Sequence, residues 1–196
     1  MRLEDAGSGM RVWLTNDESE QLTGQFEESL KDRLAIRLML DGGLRTKEVL
    51  LAKPKDVREM DADSSGKKLR VWEGKGDKYR ETYVPEDLAR EIRLYANARE
   101  MDDDELVVDY SRHTLRRRVM HAAENLAETT GDDGWQHVRP HDCRRSWATQ
   151  LVEKGVQPTI IMSLGGWDDW QTFRDHYLSK ATDETVAREF EDKGVW

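Results

Sequence analysis

Apolar residues recur about every four positions between residues 15 and 40, which is the spacing of one face of a helix. Thr15 or Asn16 can cap the start of this segment, and the glycines of Asp41–Gly43 can end it. We therefore expect one long helix here, followed by a short helix that begins at Thr46.

The pattern changes to that of extended strands between residues 69 and 84. Leu69–Trp72 and Tyr79–Val84 are rich in β-branched and aromatic residues, and the segment 73–78 between them contains two glycines. Two such runs joined by a short glycine-containing segment predict a β-hairpin.

Helical spacing returns after the hairpin and continues to the end of the chain. Prolines open three of these segments, and glycines close three of them. The chain shows no internal repeat, so we expect a mainly α fold with a small antiparallel β-sheet, of class α+β. The predicted later helices are 85–98, 111–126, 140 to a stop at 155, 158–164, 169–178 and 182–192.

The composition of the chain excludes several classes of protein. A chain of 196 residues suits one domain with short tails, and its single cysteine, Cys143, excludes an internal disulfide and a thiolate-rich zinc site. Cys143 is expected to be a small buried apolar residue. No apolar run approaches the ~20 residues of a membrane span, and the N-terminus has no signal-peptide centre. We expect a cytoplasmic protein in which residues 1–12 are a flexible lead-in.

Charge alone argues against nucleic acid, because the net charge is -9 and DNA-binding domains usually carry a basic face. The charges are unevenly spread, however, with basic runs at Arg116–Arg118 and Arg144–Arg145. A local basic groove on an acidic body is therefore compatible with the sequence. We favour adaptation to a salty cytoplasm, as in a halophile, as the explanation of the acidity; an ordinary acidic surface is the alternative.

Five residues with useful chemistry stand at turns or on shared helix faces. Arg45 follows a Gly-Gly turn, Lys75 lies between two glycines, His141 and Arg144 are one helical turn apart, and Tyr177 lies on a late helix. Taken singly, each has an ordinary explanation as a surface charge, a turn residue or a helix-surface pair. Together they favour transfer of a phosphodiester without a metal ion.

The chemistry of that transfer accounts for each residue type. A tyrosine hydroxyl can attack phosphorus, but its ordinary pKa of about 10 means that it needs a nearby base or positive charge. The pentacovalent transition state gathers negative charge on the non-bridging oxygens, which guanidinium groups match in geometry and charge. The leaving 5′ oxygen needs a proton, which a lysine on a hairpin can supply.

Four segments in order resemble the boxes of the tyrosine-recombinase, or phage-integrase, family. Residues 41–48, DGGLRTKE, resemble the TGLRxSE box, and residues 73–80, EGKGDKYR, resemble the GKGxKxR hairpin. Residues 141–149, HDCRRSWAT, resemble the HxLRH box, and residues 164–167, LGGW, resemble the LGH segment. His176-Tyr177 falls where the family's nucleophile lies. The resemblance covers roughly residues 13–180, which we take as the catalytic domain.

The resemblance implies the roles of the reacting groups. Tyr177 would be the nucleophile that forms a 3′-phosphotyrosine and frees a 5′ hydroxyl, with His141 assisting proton transfer at the attacking tyrosine. Lys75 would be the general acid for the leaving oxygen. Lys78 is a reserve candidate, because the interval from Arg45 to Lys75 looks stretched by an insertion at residues 61–66. The resemblance implies no metal and no cofactor.

The remaining roles concern the scissile phosphate. Arg45 and Arg144 would clamp it, Trp167 would hydrogen-bond it through the indole N–H, and Glu48 would support the arginines from behind. Cys143 stands where the family usually has leucine, and the interval from Trp167 to Tyr177 looks one residue longer than in many bacterial members.

The implied partner is double-stranded DNA, bound by a homo-oligomer, either a dimer or a tetramer. Candidate DNA contacts are Arg112, Arg116, Arg117 and Arg118 on one helix, and Arg145 on another; a solvated basic face is the alternative. The tail helix 181–196 would pack on a neighbouring protomer, unless it is a frayed terminus. Only about a dozen residues precede the matched region, where family members usually carry a core-binding domain, so we expect either a fragment or a minimal recombinase.

The leading hypothesis is a site-specific recombinase, such as the integrase of a mobile element. A chromosome-dimer resolvase shares the chemistry, and so does a type IB topoisomerase, which the small size disfavours. The alternative from another class is a non-catalytic DNA-binding protein that has kept the fold. An acidic interaction protein with no role on DNA would leave the four boxes unexplained.

Overall fold

The structure is a computed structural model that describes residues 1–7, 9–62, 64–72, 79–177 and 183–195. It consists of α-helices and two small antiparallel sheets, which confirms the predicted α+β class. The α-helices are α1 (Asn16–Gly24), α2 (Leu30–Leu40), α3 (Thr46–Val49), α4 (Glu86–Ala98), α5 (Arg112–Thr130), α6 (Pro140–Glu153), α7 (Pro158–Gly165), α8 (Trp170–Tyr177) and α9 (Asp183–Asp192).

The first sheet is an N-terminal hairpin of β1 (Arg2–Asp5) and β2 (Met10–Trp13). The prediction of a flexible lead-in is therefore wrong for this segment. The hairpin is held by packing that the composition of the segment does not reveal. Val12 is fully buried, and its N–H donates to the Asp142 carboxylate of α6 at 3.2 Å. The N–H of Leu14 donates to Ser146 Oγ at 2.7 Å.

The predicted long helix over residues 15–40 is two helices in the structure. Thr15 caps α1, and its side chain and Glu18 form a reciprocal capping box. Residues 25–29 interrupt the helical pattern, and Ser29 caps α2 by accepting from the N–H of Asp32. Gly24 is a poor helix former and Ser29 a good N-cap, so local preferences favour two helices where apolar spacing alone predicted one.

The second sheet contains the predicted hairpin. Strands β4 (Gly66–Val71) and β5 (Arg80–Pro85) pair antiparallel, with Leu69 opposite Thr82. A further strand, β3 (Val57–Arg58), adds to the outer edge of β4 and was not predicted. The inward face of β5 alternates strictly, so that Arg80, Thr82 and Val84 are all buried.

The later helices agree with the predicted pattern. Ser111 caps α5 by accepting from the N–H of Thr114 at 3.0 Å, and Gly131 ends it in the left-handed conformation, with φ 71°. Pro140 stands at the first turn of α6, where its missing N–H costs nothing. No helix in the described part of the chain is both long and apolar enough to cross a membrane.

Two hydrophobic clusters organise the described part of the domain. The larger lies between α2, α4, α5 and the second sheet. The smaller joins α6, α7 and α8 through Trp147, Ala148, Ile161, Trp167 and Phe173. Because this smaller cluster fixes the ends of three helices relative to one another, it sets the positions of the residues described next.

Candidate active site

Arg45 and Glu48 lie at the two ends of the first turn of α3. Gly43, at φ +65°, makes the tight turn that precedes them. The Glu48 carboxylate accepts from the backbone N–H of Arg45 at 2.8 Å, and its other oxygen accepts from Arg45 Nη1, also at 2.8 Å. The side chain of Glu48 is buried, whereas that of Arg45 is partly exposed. The turn therefore orients the Arg45 guanidinium before any ligand arrives.

Glu48 also holds two more arginines. Arg80 Nη2 donates to Glu48 Oε2 at 2.6 Å, and Arg144 Nη1 lies 3.8 Å from the same oxygen. Three guanidinium groups thus surround one buried carboxylate, which leaves an excess of two positive charges among the four residues. An arginine stays protonated at any ordinary pH, so this excess is permanent.

Arg144 is fully buried one turn into α6. Its guanidinium donates to the carbonyl oxygens of Gly43 and Gly165. It also lies over the ring of Trp167, with 4.1 Å from the guanidinium carbon to the ring centroid, which is a cation–π geometry. The resemblance implied an indole hydrogen bond from Trp167 to phosphate; in the structure the ring face of Trp167 contacts Arg144.

Arg80 is the arginine that the sequence interpretation missed. It starts β5 on the inward face of the strand, and its Nη1 donates to the carbonyl of Leu164 at 2.8 Å. Burial lowers the pKa of Arg80, and the adjacent Glu48 carboxylate opposes that shift. The signal that could have found it was an arginine at an inward position of an alternating strand.

The three arginines meet the end of α7 at three consecutive carbonyl groups. Arg80 donates to Leu164, Arg144 to Gly165, and Arg45 Nη2 to Gly166 at 3.3 Å. The C-terminal end of a helix carries unsatisfied carbonyls and partial negative charge, so cations are favoured there. Glu48 on one side and the residue 164–166 turn on the other thereby fix all three guanidinium groups.

Helix α8 is anchored beside this turn. Phe173 is fully buried, with its ring centroid 4.9 Å from that of Trp167. The hairpin also reaches α8, because Arg11 Nη1 donates to the carbonyl oxygen of Asp175 at 2.9 Å. Tyr177 is the last residue of α8, and its side chain lies outside the described part of the structure.

Of the remaining predicted site residues, the structure describes His141 but neither lysine. His141 is exposed in the first turn of α6, one turn before the buried Arg144. Lys75 and its reserve Lys78 fall in residues 73–78, outside the described part. The flanks of that segment are close together, since the rings of Trp72 and Tyr79 are 5.1 Å apart.

A cavity of about 500 Å³ lies in front of Arg45 and Arg80. Its lining includes the Arg45 and Arg80 side chains, the Gly166 turn, Trp167 and Tyr83. A concave site with fixed, permanently charged guanidinium groups is suited to binding an anion such as phosphate. In the described residues, no group of histidine, cysteine, aspartate and glutamate side chains is arranged to hold a metal ion.

One predicted DNA contact is misplaced. Arg145 is buried, is ion-paired with Asp142 and lies 5.4 Å from the ring centroid of Trp13, so it is part of the packing between the hairpin and α6. The prediction failed because Arg145 faces inward from α6, which a run of two adjacent arginines does not reveal.

Four arginines are exposed on α5: Arg112, Arg116, Arg117 and Arg118. Of these, Arg118 pairs with the buried Asp32 at 3.0 Å.

Cys143 agrees with its expectation. It is fully buried among apolar side chains, and burial raises the pKa of its thiol to about 12. The thiol is therefore protonated at neutral pH, which is unfavourable for a nucleophile or a metal ligand.

The fold is that of a tyrosine-recombinase catalytic domain. The chain belongs to the phage integrase family, whose model matches residues 12–184, which confirms the resemblance in the sequence. It is similar to the tyrosine recombinase XerA of Thermococcus kodakarensis, with 32% identity over 160 residues, 81% of this chain and 55% of that protein. For XerA of Pyrococcus furiosus the identity is 29% over 154 residues, 78% of this chain and 52% of that protein.

Solved structures share the fold. A crystal structure of XerA recombinase superposes with a TM-score of 0.71 at 22% identity and covers 93% of this chain and 65% of that chain. A lambda integrase dimer bound to a COC′ core site superposes with a TM-score of 0.63 at 18% identity and covers 88% and 50%. The chain spans about half the length of the curated relatives that it matches.

Proposed function

We propose that this chain is the catalytic part of a site-specific DNA recombinase or integrase, which breaks and rejoins DNA through a 3′-phosphotyrosine. The observation that carries the proposal is the set of three guanidinium groups held by Glu48 and the residue 164–166 turn, with an excess of two positive charges beside an open cavity. A phosphodiester in a pentacovalent transition state gains negative charge, and preorganised donors stabilise that gain.

Arg45 and Arg144 bind the non-bridging oxygens of the scissile phosphate. Each terminal guanidinium nitrogen carries two N–H groups, so bonds to Glu48 and to carbonyl oxygens leave further donors for phosphate. Trp167 supports this arrangement through its ring beneath Arg144, in addition to the indole hydrogen bond expected from the sequence. Glu48 keeps the arginines from repelling one another.

The reacting groups complete the step. The Tyr177 hydroxyl oxygen attacks phosphorus and loses its proton with the assistance of His141. The bond from phosphorus to the 5′ oxygen breaks, and Lys75 gives that oxygen a proton. In the reverse step a 5′ hydroxyl attacks the phosphotyrosine and the tyrosine leaves, so the bond energy is conserved without a nucleotide cofactor. This scheme uses neither a metal nor a cofactor.

The partner is double-stranded DNA, bound by a homo-oligomer in the cytoplasm. The family, and relatives such as a lambda integrase dimer bound to a core site, support this assignment. Arg112, Arg116 and Arg117 are exposed on α5 and supply phosphate contacts, whereas Arg118 is partly committed to Asp32. The tail helix α9 packs on a neighbouring protomer.

The test is covalent capture on nicked suicide duplexes taken from the DNA that flanks the gene, at low and at high salt. We expect a denaturing gel to show protein attached to a DNA 3′ end, and the Tyr177→Phe variant to lose that band while it still binds the duplex. A band that survives in the variant excludes Tyr177 as nucleophile. DNA binding without any band at either salt supports a non-catalytic DNA-binding protein instead.

A further inference from the structure

We infer that Arg80 is a positioning residue of the phosphate site, which holds the residue 164–166 turn at the distance from Glu48 that aims Arg45 and Arg144 at one phosphate. This inference rests on the proposed function, because the phosphate is the one that the recombinase would cleave. It concerns a residue for which the resemblance implied no role.

The Arg80 guanidinium forms a bridge between two separate parts of the site. One terminal nitrogen donates to Glu48 Oε2 at 2.6 Å and the other to the carbonyl oxygen of Leu164 at 2.8 Å. Glu48 belongs to α3 and Leu164 to the last turn of α7, which are far apart in sequence. The Arg80 side chain on β5 therefore connects the two parts through one planar group.

The same two parts hold the other arginines. Arg45 contacts both Glu48 and the carbonyl of Gly166, at 2.8 Å and 3.3 Å. Arg144 donates to the carbonyl of Gly165 and lies 3.8 Å from Glu48. A shift of the turn relative to Glu48 would consequently change the directions of both guanidinium groups at once.

Arg80 is more enclosed than Arg45, which lines the same cavity. The Arg80 side chain is 8% exposed against 21% for Arg45, and both of its terminal nitrogens donate to the protein. The third nitrogen, Nε, is buried and has no hydrogen-bond partner among the described residues. The side chain thus acts through its neighbours, and positioning is the role that fits its contacts.

The close approach of the backbone turn is matched to this side chain. A Cβ atom at Gly166 would lie 2.9 Å from Arg80 Cδ, and Gly166 adopts φ +67°. Glycine at this position lets the carbonyls of the turn reach the arginines. Lysine at position 80 would keep the charge but has one nitrogen, which lacks the planar fork that spans two fixed acceptors.

The test compares Arg80→Lys with wild type in single-turnover cleavage at saturating suicide duplex. We expect the rate of covalent complex formation to fall about 10- to 100-fold, the loss that a displacement of reacting groups by about 1 Å produces. The dissociation constant for the same duplex, measured in the Tyr177→Phe background, should change by less than about threefold, because a duplex is held by many phosphate contacts besides the scissile one.

The matched control is Arg37→Lys. Arg37 is also a partly buried arginine that bridges carboxylates, with Asp41 at 2.8 Å and Asp87 at 2.7 Å, but it contacts neither Glu48 nor the turn in the described structure. Its cleavage rate should match that of wild type. If Arg80→Lys unfolds at the assay temperature, both rates are taken at a lower temperature and with Arg80→Gln as a second variant.

The outcomes separate the inference from the proposed function. Wild type that forms no covalent complex contradicts the proposed function. Complex formation at equal rates by wild type and Arg80→Lys contradicts the inference alone. The inference is also contradicted if the rate falls only in proportion to the fraction of folded protein, measured by circular dichroism.

Binding of inorganic tungstate, a phosphate mimic, tests the inference even without cleavage. We expect Arg80→Lys to weaken tungstate binding about tenfold and Arg37→Lys to leave it unchanged, since only the first change disturbs the directions of Arg45 and Arg144. Equal affinity in all three proteins overturns the positioning role, whereas no binding to wild type contradicts the phosphate site of the proposed function.

Discussion

Arg11 of the N-terminal hairpin donates a hydrogen bond to the carbonyl oxygen of Asp175, two residues before Tyr177, with 2.9 Å between the atoms. The bond joins a segment that precedes every predicted box to the helix expected to carry the nucleophile. The same hairpin is bonded to α6 through Val12 and Asp142. The hairpin therefore links the two helices that bear His141, Arg144 and Tyr177.

Arg11→Ala should slow covalent complex formation severalfold and lower the free energy of unfolding by about 1 kcal/mol or less, because the bond is exposed. Single-turnover cleavage and thermal unfolding measure the two effects. Glu4→Gln is the control, since Glu4 is another partner of Arg11, at 3.7 Å, and the change leaves the bond to Asp175. Equal rates for both variants would show that the hairpin does not influence the tyrosine step.

Gly43→Ala should damage both stability and cleavage. Gly43 has φ +65°, and a Cβ atom there would lie within 2.6 Å of three ring atoms of Trp147. Left-handed strain and overpacking together predict a loss of about 2–5 kcal/mol of unfolding free energy, measured by denaturant titration. The carbonyl of Gly43 also accepts from Arg144, so cleavage should fall even in the folded fraction.

Gly131→Ala is the comparison for that substitution. Gly131 also has positive φ, at 71°, but a Cβ atom there would meet nothing within 4 Å. The Gly131→Ala variant should lose only the backbone strain of about 1–2 kcal/mol from its unfolding free energy, and its cleavage rate should be unchanged. If the two variants lose the same stability, the contact with Trp147 contributes nothing.

The extent to which these features could be predicted differs among residues. The hairpin of β4 and β5 and the helices from α4 onward follow from apolar spacing, prolines and glycines, and the structure agrees. The resemblance named Arg45, Arg144 and Glu48, and in the structure both arginines lie beside the Glu48 carboxylate. Both arginines also donate to backbone carbonyls in residues 164–166, and no pattern of side chains in the sequence predicts such backbone acceptors.

The misses also have physical causes. Arg80 was treated as the end of a hairpin motif, although its inward place on an alternating strand required a buried counter-charge. The N-terminal hairpin was missed because its strands have four residues each and depend on α6 for packing. Arg145 was taken as basic surface because adjacent charges in sequence conceal which one faces inward.

Glu48→Ala should be among the most destabilising single changes in the site. It would leave three guanidinium groups, two of them buried, without their shared carboxylate. Removal of one partner from a buried ion pair costs about 3–5 kcal/mol, so we expect a loss of that size in denaturant unfolding. Glu59→Ala, at an exposed acid that pairs with Lys67 and Arg93, should cause a much smaller change. Similar losses for both would contradict the shared-carboxylate arrangement.

Cys143 should resist alkylation in the folded protein. Burial raises the pKa of its thiol to about 12, so at pH 8 the reactive thiolate is scarce as well as inaccessible. A thiol reagent should label native protein far more slowly than protein unfolded in guanidinium. Because the folded pKa exceeds the unfolded value, this group's contribution to stability is complete below about pH 9 and is lost as the pH rises toward 12. Rapid labelling of native protein would contradict the burial of Cys143.

The α5 arginines give the last prediction, which concerns salt. If Arg116 and Arg117 neutralise DNA phosphates, each change to alanine should reduce the slope of log affinity against log salt by about 1. Arg118→Ala should reduce the slope less and should instead lower stability, because its guanidinium pairs with the buried Asp32. Affinities measured at several salt concentrations in the Tyr177→Phe background separate the two effects. Unchanged slopes in the Arg116 and Arg117 variants would assign this face to solvent rather than to DNA, whatever the outcome of the cleavage tests.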